Sequence, residues 1–232
     1  MSIEPPVHTG RRFSFWVDRV WVAIDNAVMP VMIRNHEVEA RVLAERRASG
    51  LDRWDEVWEG VYVMPPFPND EHQAIQAEFV AILQTVVGWA GLGQVRAGVN
   101  VSDRTDDWTQ NYRCPDVAVF FNGCHAENHG TFWLGGPDFA VEIVSPEDSS
   151  RQKLDFYASV GVRELLIVDR APWRLELYRL EAGRMVEAGH SVVGVAEALV
   201  SQVVPLTFRL VAGGARPGIE VVERDGGRRW AV

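Results

Sequence analysis

The sequence has little cysteine and no long apolar run, and each shortage argues against a class of protein. Only two of the 232 residues are cysteine, Cys114 and Cys124, so no disulfide framework is expected and a reducing cytoplasm fits best. No stretch approaches the roughly 18 uninterrupted apolar residues of a membrane helix, and the N-terminus has no signal-peptide apolar region. We therefore expect a cytoplasmic protein that does not enter a membrane.

Basic charge is also scarce, and several familiar motifs are missing. The 32 Asp and Glu residues outnumber the 23 Lys and Arg residues, giving a formal net charge of -9. Because affinity for nucleic acids depends on Lys and Arg neutralising phosphates, this charge argues against tight, non-specific DNA binding unless a metal or a local basic face offsets it. There is no P-loop, no dinucleotide-type glycine motif and no internal repeat. Hydrophobic residues make up 47% of the chain, enough for one large core or for one core plus an extension.

Two apolar runs in the middle of the chain each carry one carboxylate. Asp116 comes directly before the run 117–121, and Glu142 lies inside the run 137–146. Both runs are rich in β-branched and aromatic residues and are bounded by turn formers, a pattern typical of buried strands. A carboxylate inside such a strand must be paired, protonated or bound to a cation. If the two strands pair, these acids would form an oxygen-rich site for a hard divalent cation, or a buried acid pair satisfied by arginine or backbone donors.

A lysine follows Glu142 at the start of a predicted helix. The pattern over 149–159 is helical, and Gly161 is a suitable stop. Lys153 falls in the first or second turn, where the helix dipole favours acids rather than cations. It is interpreted as an ammonium carried back over the strand carboxylates; the alternative is an exposed lysine on the helix surface.

These features together resemble the Uma-type family of restriction-endonuclease-like proteins, a branch of the PD-(D/E)XK nuclease superfamily. The features are Asp116 after proline, the Glu142 strand ending in Ser-Pro, Lys153, Tyr157, Gly161-Val162 and the strand at 165–169. The resemblance covers roughly Asp55 to Leu180. It departs from the superfamily pattern at Val144, where a lysine is usual two residues after the acid; the family is thought to use a lysine moved onto the following helix, and Lys153 matches that place.

The resemblance implies metal-dependent hydrolysis of phosphodiester bonds in DNA. Asp116 and Glu142, with the Ile143 carbonyl, would hold one or two Mg²⁺ or Mn²⁺ ions. Lys153 would orient the attacking water or stabilise the charge that develops on the phosphate.

A second stretch, Glu59-Gly60 followed by two prolines and His72, also resembles the family, whose histidine opens the first core helix beside the active site. Glu59 could then add a metal ligand, and His72 could bind a substrate phosphate or assist proton transfer. The alternatives are a turn residue and a solvated residue of the first helical turn.

The predicted fold class is α/β, a mixed β-sheet flanked by helices in a restriction-endonuclease-like core, with an N-terminal helical extension. The extension is placed at 1–54, the core at 55–212 and a C-terminal tail, loosely held or reaching a partner, at 213–232. Within the core, Asp70 and Gln73 form a capping box that opens a helix reaching residue 87.

The extension is predicted to contain one amphipathic helix over 13–28 and another over 35–48. Its apolar side chains are too many for an exposed arm and predict a homodimer. They are Phe13, Phe15, Trp16, Val20, Val22, Val28 and Val31.

Three interpretations compete with the nuclease site. Cys114, Cys124, His125 and His129 could be imagined as a zinc site, but their spacing fits no familiar framework, which favours an irregular loop near the site entrance. The acidic charge and Val144 favour a non-catalytic nucleic-acid-binding or assembly module on a nuclease fold. A metal-dependent hydrolase acting on another substrate is the third alternative.

Overall fold

The computed structural model describes residues 16–17, 20–21, 36–65, 67–145, 150–225 and 227–232. The chain divides into two compact units, Met1–Arg53 and Trp54–Val232. Within the described residues, no helix is long and apolar enough to cross a membrane.

The first unit contains a short strand pair and one helix. Strands β1 (Trp16–Val17) and β2 (Val20–Trp21) pair antiparallel, and helix α1 spans His36–Ser49. The helix predicted from 35 to 48 is confirmed, whereas the helix predicted over 13–28 is wrong at β1 and β2. Valine and tryptophan favour extended backbone, and here that propensity outweighs the helical spacing. Of the seven residues on which the dimer prediction rests, Trp16 and Val20 lie in these two strands, and the other five lie outside the described residues.

The second unit holds the predicted core. Its strands and helices are β3 (Glu56–Trp58), β4 (Val61–Val63), α2 (Asp70–Leu83), β5 (Gly93–Ala97), β6 (Val101–Ser102), β7 (Tyr112–Arg113), β8 (Val117–Phe121), β9 (Glu127–Asn128), β10 (Trp133–Leu134), β11 (Phe139–Ile143), α3 (Leu154–Ser159), β12 (Glu164–Arg170), β13 (Trp173–Glu181), β14 (Arg184–Ser191), β15 (Leu199–Val200), β16 (Leu206–Val211), β17 (Gly218–Glu223) and β18 (Arg229–Ala231). Among the described residues, 3₁₀ turns cover Trp108–Gln110, Ser150–Lys153 and Leu51–Trp54, the last of which spans the division between the two units. A π-helical turn, Gln84–Gly88, extends α2.

The central sheet places the two acid-bearing strands side by side. Its strand order is β14-β13-β12-β11-β8-β5, and only the β11–β12 pair among these neighbours is parallel. In the β8–β11 register Val141 faces Val117 and Ala140 faces Ala118. Asp116, one residue before β8, and Glu142, one residue after Val141, therefore lie at the same end of the pair. The predicted mixed sheet flanked by helices is confirmed.

The two faces of this sheet bury different partners because side chains alternate along each strand. Phe139, Val141 and Ile143 of β11 belong to a core shared with α2 and with the four-stranded sheet β15–β18. Ala140 belongs to the opposite core, with Tyr157 of α3. Glu142 shares the Ala140 face, which brings it to α3 rather than α2.

Two further details differ from the sequence predictions. The cap of α2 is Asn69, whose side chain accepts a hydrogen bond from the backbone N–H of His72 at 2.9 Å, and not Asp70. The predicted tail at 213–232 contributes β17 and β18, and Ile219 and Val221 are fully buried. The alternation of these residues with Glu220 is a strand pattern that packs the segment into the core.

Candidate active site

Asp116 connects the end of the sheet to the first turn of α2. Its Oδ2 accepts a hydrogen bond of 2.7 Å from the backbone N–H of Ile143 and lies 3.3 Å from Nε2 of His72. Gln76, one turn further along α2, donates to the Asp116 backbone carbonyl at 2.7 Å. Within the described residues, Oδ1 of Asp116 has no hydrogen-bond partner. Asp116 is thus held in place through Oδ2, and the lone pairs of Oδ1 remain available to bind a cation.

His72 is a buried residue rather than a solvated one. It is 4% exposed, and its Nδ1 is a buried atom that finds no hydrogen-bond partner among the residues the structure describes. The alternative of a solvated first-turn histidine is therefore wrong.

Glu142 is held by two side chains from the segment that follows it. Nζ of Lys153 lies 3.1 Å from its Oε1 and 3.2 Å from its Oε2. The Tyr157 hydroxyl donates a hydrogen bond to Oε1. Burial, and then the negative charges of Glu142 and Glu56, raise the pKa of Tyr157 well above its usual range. Tyr157 therefore remains a hydroxyl donor at neutral pH.

Lys153 is buried in the 3₁₀ turn directly before α3, so the alternative of an exposed helix lysine is wrong. It is also the only lysine among the 23 lysine and arginine residues of the chain. This composition is readable from the amino-acid sequence and by itself draws attention to the position.

Glu56 is the third carboxylate of the cluster that also contains Asp116, Glu142 and Lys153. It is not among the site residues predicted from the sequence. Its Oε1 lies 2.8 Å from Nζ of Lys153 and accepts a hydrogen bond of 2.8 Å from the backbone N–H of Cys114. Its Oε2 accepts from Nε1 of Trp58, also at 2.8 Å. Glu56 precedes Val57 in a short apolar strand, the same signal that drew attention to Glu142.

Glu59 lies elsewhere. It occupies the β3–β4 turn with a left-handed φ of 47°, and its side chain is 69% exposed. Its Oε1 accepts hydrogen bonds from Arg104 at 2.8 Å and Asn111 at 2.9 Å. The metal-ligand hypothesis requires Glu59 to lie close to Asp116 and Glu142, and the structure does not place it there. Glu59 belongs to the exposed turn and not to the buried strand that carries Glu56.

Arg113 braces the β3–β4 hairpin against α3. Its guanidinium lies 4.5 Å from the ring centre of Trp58 and 4.2 Å from that of Phe156. Burial lowers its pKa from the ordinary value. Such a stacked cation holds the two aromatic rings in place, including Trp58, which donates a hydrogen bond to Glu56.

The four cysteine and histidine residues considered for zinc make other contacts. Nε2 of His125 lies 2.9 Å from the Val160 carbonyl, and His129 stacks on Phe132. Burial raises the pKa of the Cys114 thiol. In the described ranges, no three His, Cys, Asp or Glu side chains are placed to hold a metal ion together.

The donors at the end of the sheet nevertheless fit a hard divalent cation. Mg²⁺ is commonly bound through one or two carboxylates, with water filling the other positions. Asp116 offers an oxygen without a hydrogen-bond partner in the described structure, and each Glu142 oxygen has lone pairs for more than one contact. The described part of the site holds three buried carboxylates, Glu56, Asp116 and Glu142, beside the Lys153 ammonium. A bound cation would add a positive charge close to these acids and stabilise their ionised forms.

A match to a family model identifies the family of this chain. The Uma2 model, described as "Putative restriction endonuclease", matches residues 49–212. The chain belongs to the Uma2 family. The match contains Glu56, Asp116, Glu142 and Lys153, and it confirms the resemblance inferred from the sequence.

A solved structure supports the fold. The chain is similar to the crystal structure of a protein described as a "putative nuclease belonging to DUF820" from Anabaena variabilis. The two are 21% identical with a TM-score of 0.50, over 63% of this chain and 80% of that chain. The comparison with curated proteins found no match. Family and fold together indicate a restriction-endonuclease-like nuclease of the Uma2 type.

Proposed function

We propose that this Uma2 protein is a Mg²⁺- or Mn²⁺-dependent endonuclease that hydrolyses phosphodiester bonds in DNA. The observation that carries the proposal is the buried ammonium of Lys153 on Glu142, beside Asp116 at the same end of two paired strands. A bound divalent cation would acidify a water molecule and offset charge on the phosphate.

The chain's own residues supply the other parts of the reaction. Asp116 and Glu142, with the Ile143 carbonyl, would hold the cation. Lys153 would donate hydrogen bonds to the phosphate oxygens as charge develops on them, or orient the attacking water. His72, 3.3 Å from Asp116, would contact the phosphate or accept the proton that the water loses. These roles would make the site a PD-(D/E)XK site whose lysine has moved from position 144 to 153.

Metal binding and cleavage test the proposal directly. Calorimetry with Mn²⁺ should show weakened binding in Asp116→Asn and Glu142→Gln, because hard cations need anionic oxygen ligands. The matched control is Glu164→Gln, which alters a buried carboxylate paired with Arg179 at the other end of the sheet and should bind Mn²⁺ like wild type. Supercoiled, linear and single-stranded DNA should be incubated with each protein and Mg²⁺ or Mn²⁺. Unchanged Mn²⁺ binding in both site variants would remove the metal from this proposal.

A non-catalytic binding or assembly module is the second candidate. Lys153 is engaged by Glu56 and Glu142, as in structural ion networks, and the net charge is -9. Such a module would retain its DNA or protein affinity in EDTA and show no cleavage with either metal.

We also propose that the extension at 1–54 serves association into a homodimer, which would suit an enzyme that meets two DNA strands. Light scattering at micromolar concentration should give twice the monomer mass of 26.0 kDa. A monomer would contradict the dimer without touching the proposed chemistry.

A further inference from the structure

Among the described residues, Lys153 contacts two carboxylates, and only one of them belongs to the proposed metal-binding pair. Nζ reaches Glu142 at 3.1 and 3.2 Å and Glu56 at 2.8 Å. Glu142 lies on β11, whereas Glu56 opens the β3–β4 hairpin. The shortest of these contacts is therefore made to the residue that has no part in the chemistry proposed above.

Glu56 is itself immobilised by two neutral donors. The Trp58 indole N–H holds one of its oxygens, and the Cys114 backbone N–H, two residues before Asp116, holds the other. Both glutamate oxygens are thus fixed independently of the lysine. A carboxylate held in this way presents a rigid acceptor to the flexible lysine stem.

A cation on Glu142 would share that carboxylate with Lys153 and repel the ammonium, since both are positively charged. The ammonium would then lose part of its hold on β11 while remaining buried, and a buried charge needs an anionic partner. Of the two described carboxylate partners, Glu56 is the one that stays in place, because its position depends on the hairpin and not on Glu142.

We propose that Glu56 is a positioning residue that holds the Lys153 ammonium at the site and is not itself a metal ligand. This inference rests on the proposed function for the meaning of the lysine's position, but the position itself can be measured without any reaction.

The single lysine makes that measurement possible. Wild type, Glu56→Gln and the control Glu164→Gln, which changes an equally buried carboxylate, are acetylated with an N-hydroxysuccinimide ester at one fixed pH. Peptide mapping reads the rate at Lys153, with the N-terminal amine as internal reference. Glu56→Gln should accelerate the acetylation of Lys153 roughly tenfold to a hundredfold, the factor for losing one hydrogen bond to a charged group. Glu164→Gln should not.

A second readout separates positioning from metal ligation. Glu56→Gln should lower kcat for DNA cleavage by about tenfold or more, with KM and the Mn²⁺ affinity within about twofold of wild type, since it removes an interaction used in the transition state. If Glu56→Gln fails to fold by thermal melting, Trp58→Phe serves instead: it keeps the ring beside Arg113, removes the indole N–H, and should raise Lys153 reactivity by a smaller factor.

Two results would overturn the inference. Acetylation of Lys153 at the wild-type rate in Glu56→Gln would show that Glu56 does not hold the lysine. A loss of Mn²⁺ affinity as large as that of Glu142→Gln would make Glu56 a ligand. If wild type neither binds Mn²⁺ nor cleaves DNA, yet Glu56→Gln releases Lys153, the proposed function fails and the positioning role stands.

Discussion

Two charge clusters, built alike, branch from the same 3₁₀ turn. In one, Lys153 bridges Glu56 and Glu142, and the Tyr157 hydroxyl donates a hydrogen bond to Glu142. In the other, Arg151 bridges Asp169 and Glu176, and Tyr178 donates to the glutamate at 3.0 Å. Each is a cation between two acids with a tyrosine hydroxyl alongside.

The clusters differ in the cation and in its contact with water. The Arg151 side chain is 44% exposed and grips Glu176 with two nitrogens, at 2.9 and 3.0 Å. The Lys153 side chain is 11% exposed. An arginine fork fixes one geometry, whereas an ammonium is a point charge that can exchange partners. Under the proposed function, the arginine cluster would anchor the turn, whereas the lysine cluster would keep a buried cation available for chemistry.

The largest effect should come from removing the buried cation. Lys153→Met should lower the cleavage rate by about 10²–10³-fold, as expected for losing one donor to the transition state, with little change in metal or DNA affinity. Single-turnover kinetics and Mn²⁺ calorimetry measure the two parts. Cleavage at the wild-type rate would contradict the migrated-lysine hypothesis and direct attention to His72.

Removing the exposed cation should affect stability first. Arg151→Ala leaves Asp169 and Glu176 without their shared guanidinium. A buried pair would lose more, but solvent screens this half-exposed arginine, so we expect a loss of about 1–2 kcal/mol in the free energy of unfolding. Urea denaturation measures this loss. A drop in cleavage without a loss of stability would show that the two clusters do not have separate roles.

The smallest effect is a change in acid sensitivity. Burial alone would raise the pKa of Glu176, but hydrogen bonds from Arg151 and Tyr178 lower it below its ordinary value of 4.5. A carboxyl with a depressed folded-state pKa stabilises the protein above that ordinary value, and the contribution disappears as pH falls through the folded-state pKa. Glu176→Gln should therefore flatten the decline of stability below about pH 4.5, where the unfolded glutamate begins to bind its proton. Urea unfolding midpoints, measured between pH 6 and pH 3 in steps on the order of one pH unit, would reveal the flatter decline. A dependence of the midpoint on pH as steep as that of wild type would contradict the assignment.

The sequence predicts the part of the site that local patterns encode. Asp116 and Glu142 stand out because each interrupts an apolar run, and Lys153 because its charge opposes the helix dipole. Glu56 could not be linked to Lys153 in this way, since their contact depends on how the β3–β4 hairpin meets the 3₁₀ turn. Local patterning also predicts the wrong structure at β1 and β2, where strand propensity outweighs helical spacing. At β17 the glycines and arginines of the surrounding segment mask the alternation of buried and exposed residues.

Because the chain has a single lysine, proteolysis can measure local unfolding at one defined place. A lysine-specific protease has one peptide bond to cut in this chain, the bond between Lys153 and Leu154. Both the lysine side chain and its carboxylate partners are buried, so cleavage requires the turn to open. When opening and reclosing are fast, the digestion rate follows the population of the open form. Proteolysis of the unmodified protein thus reports the local unfolding equilibrium of the segment that carries the proposed catalytic cation.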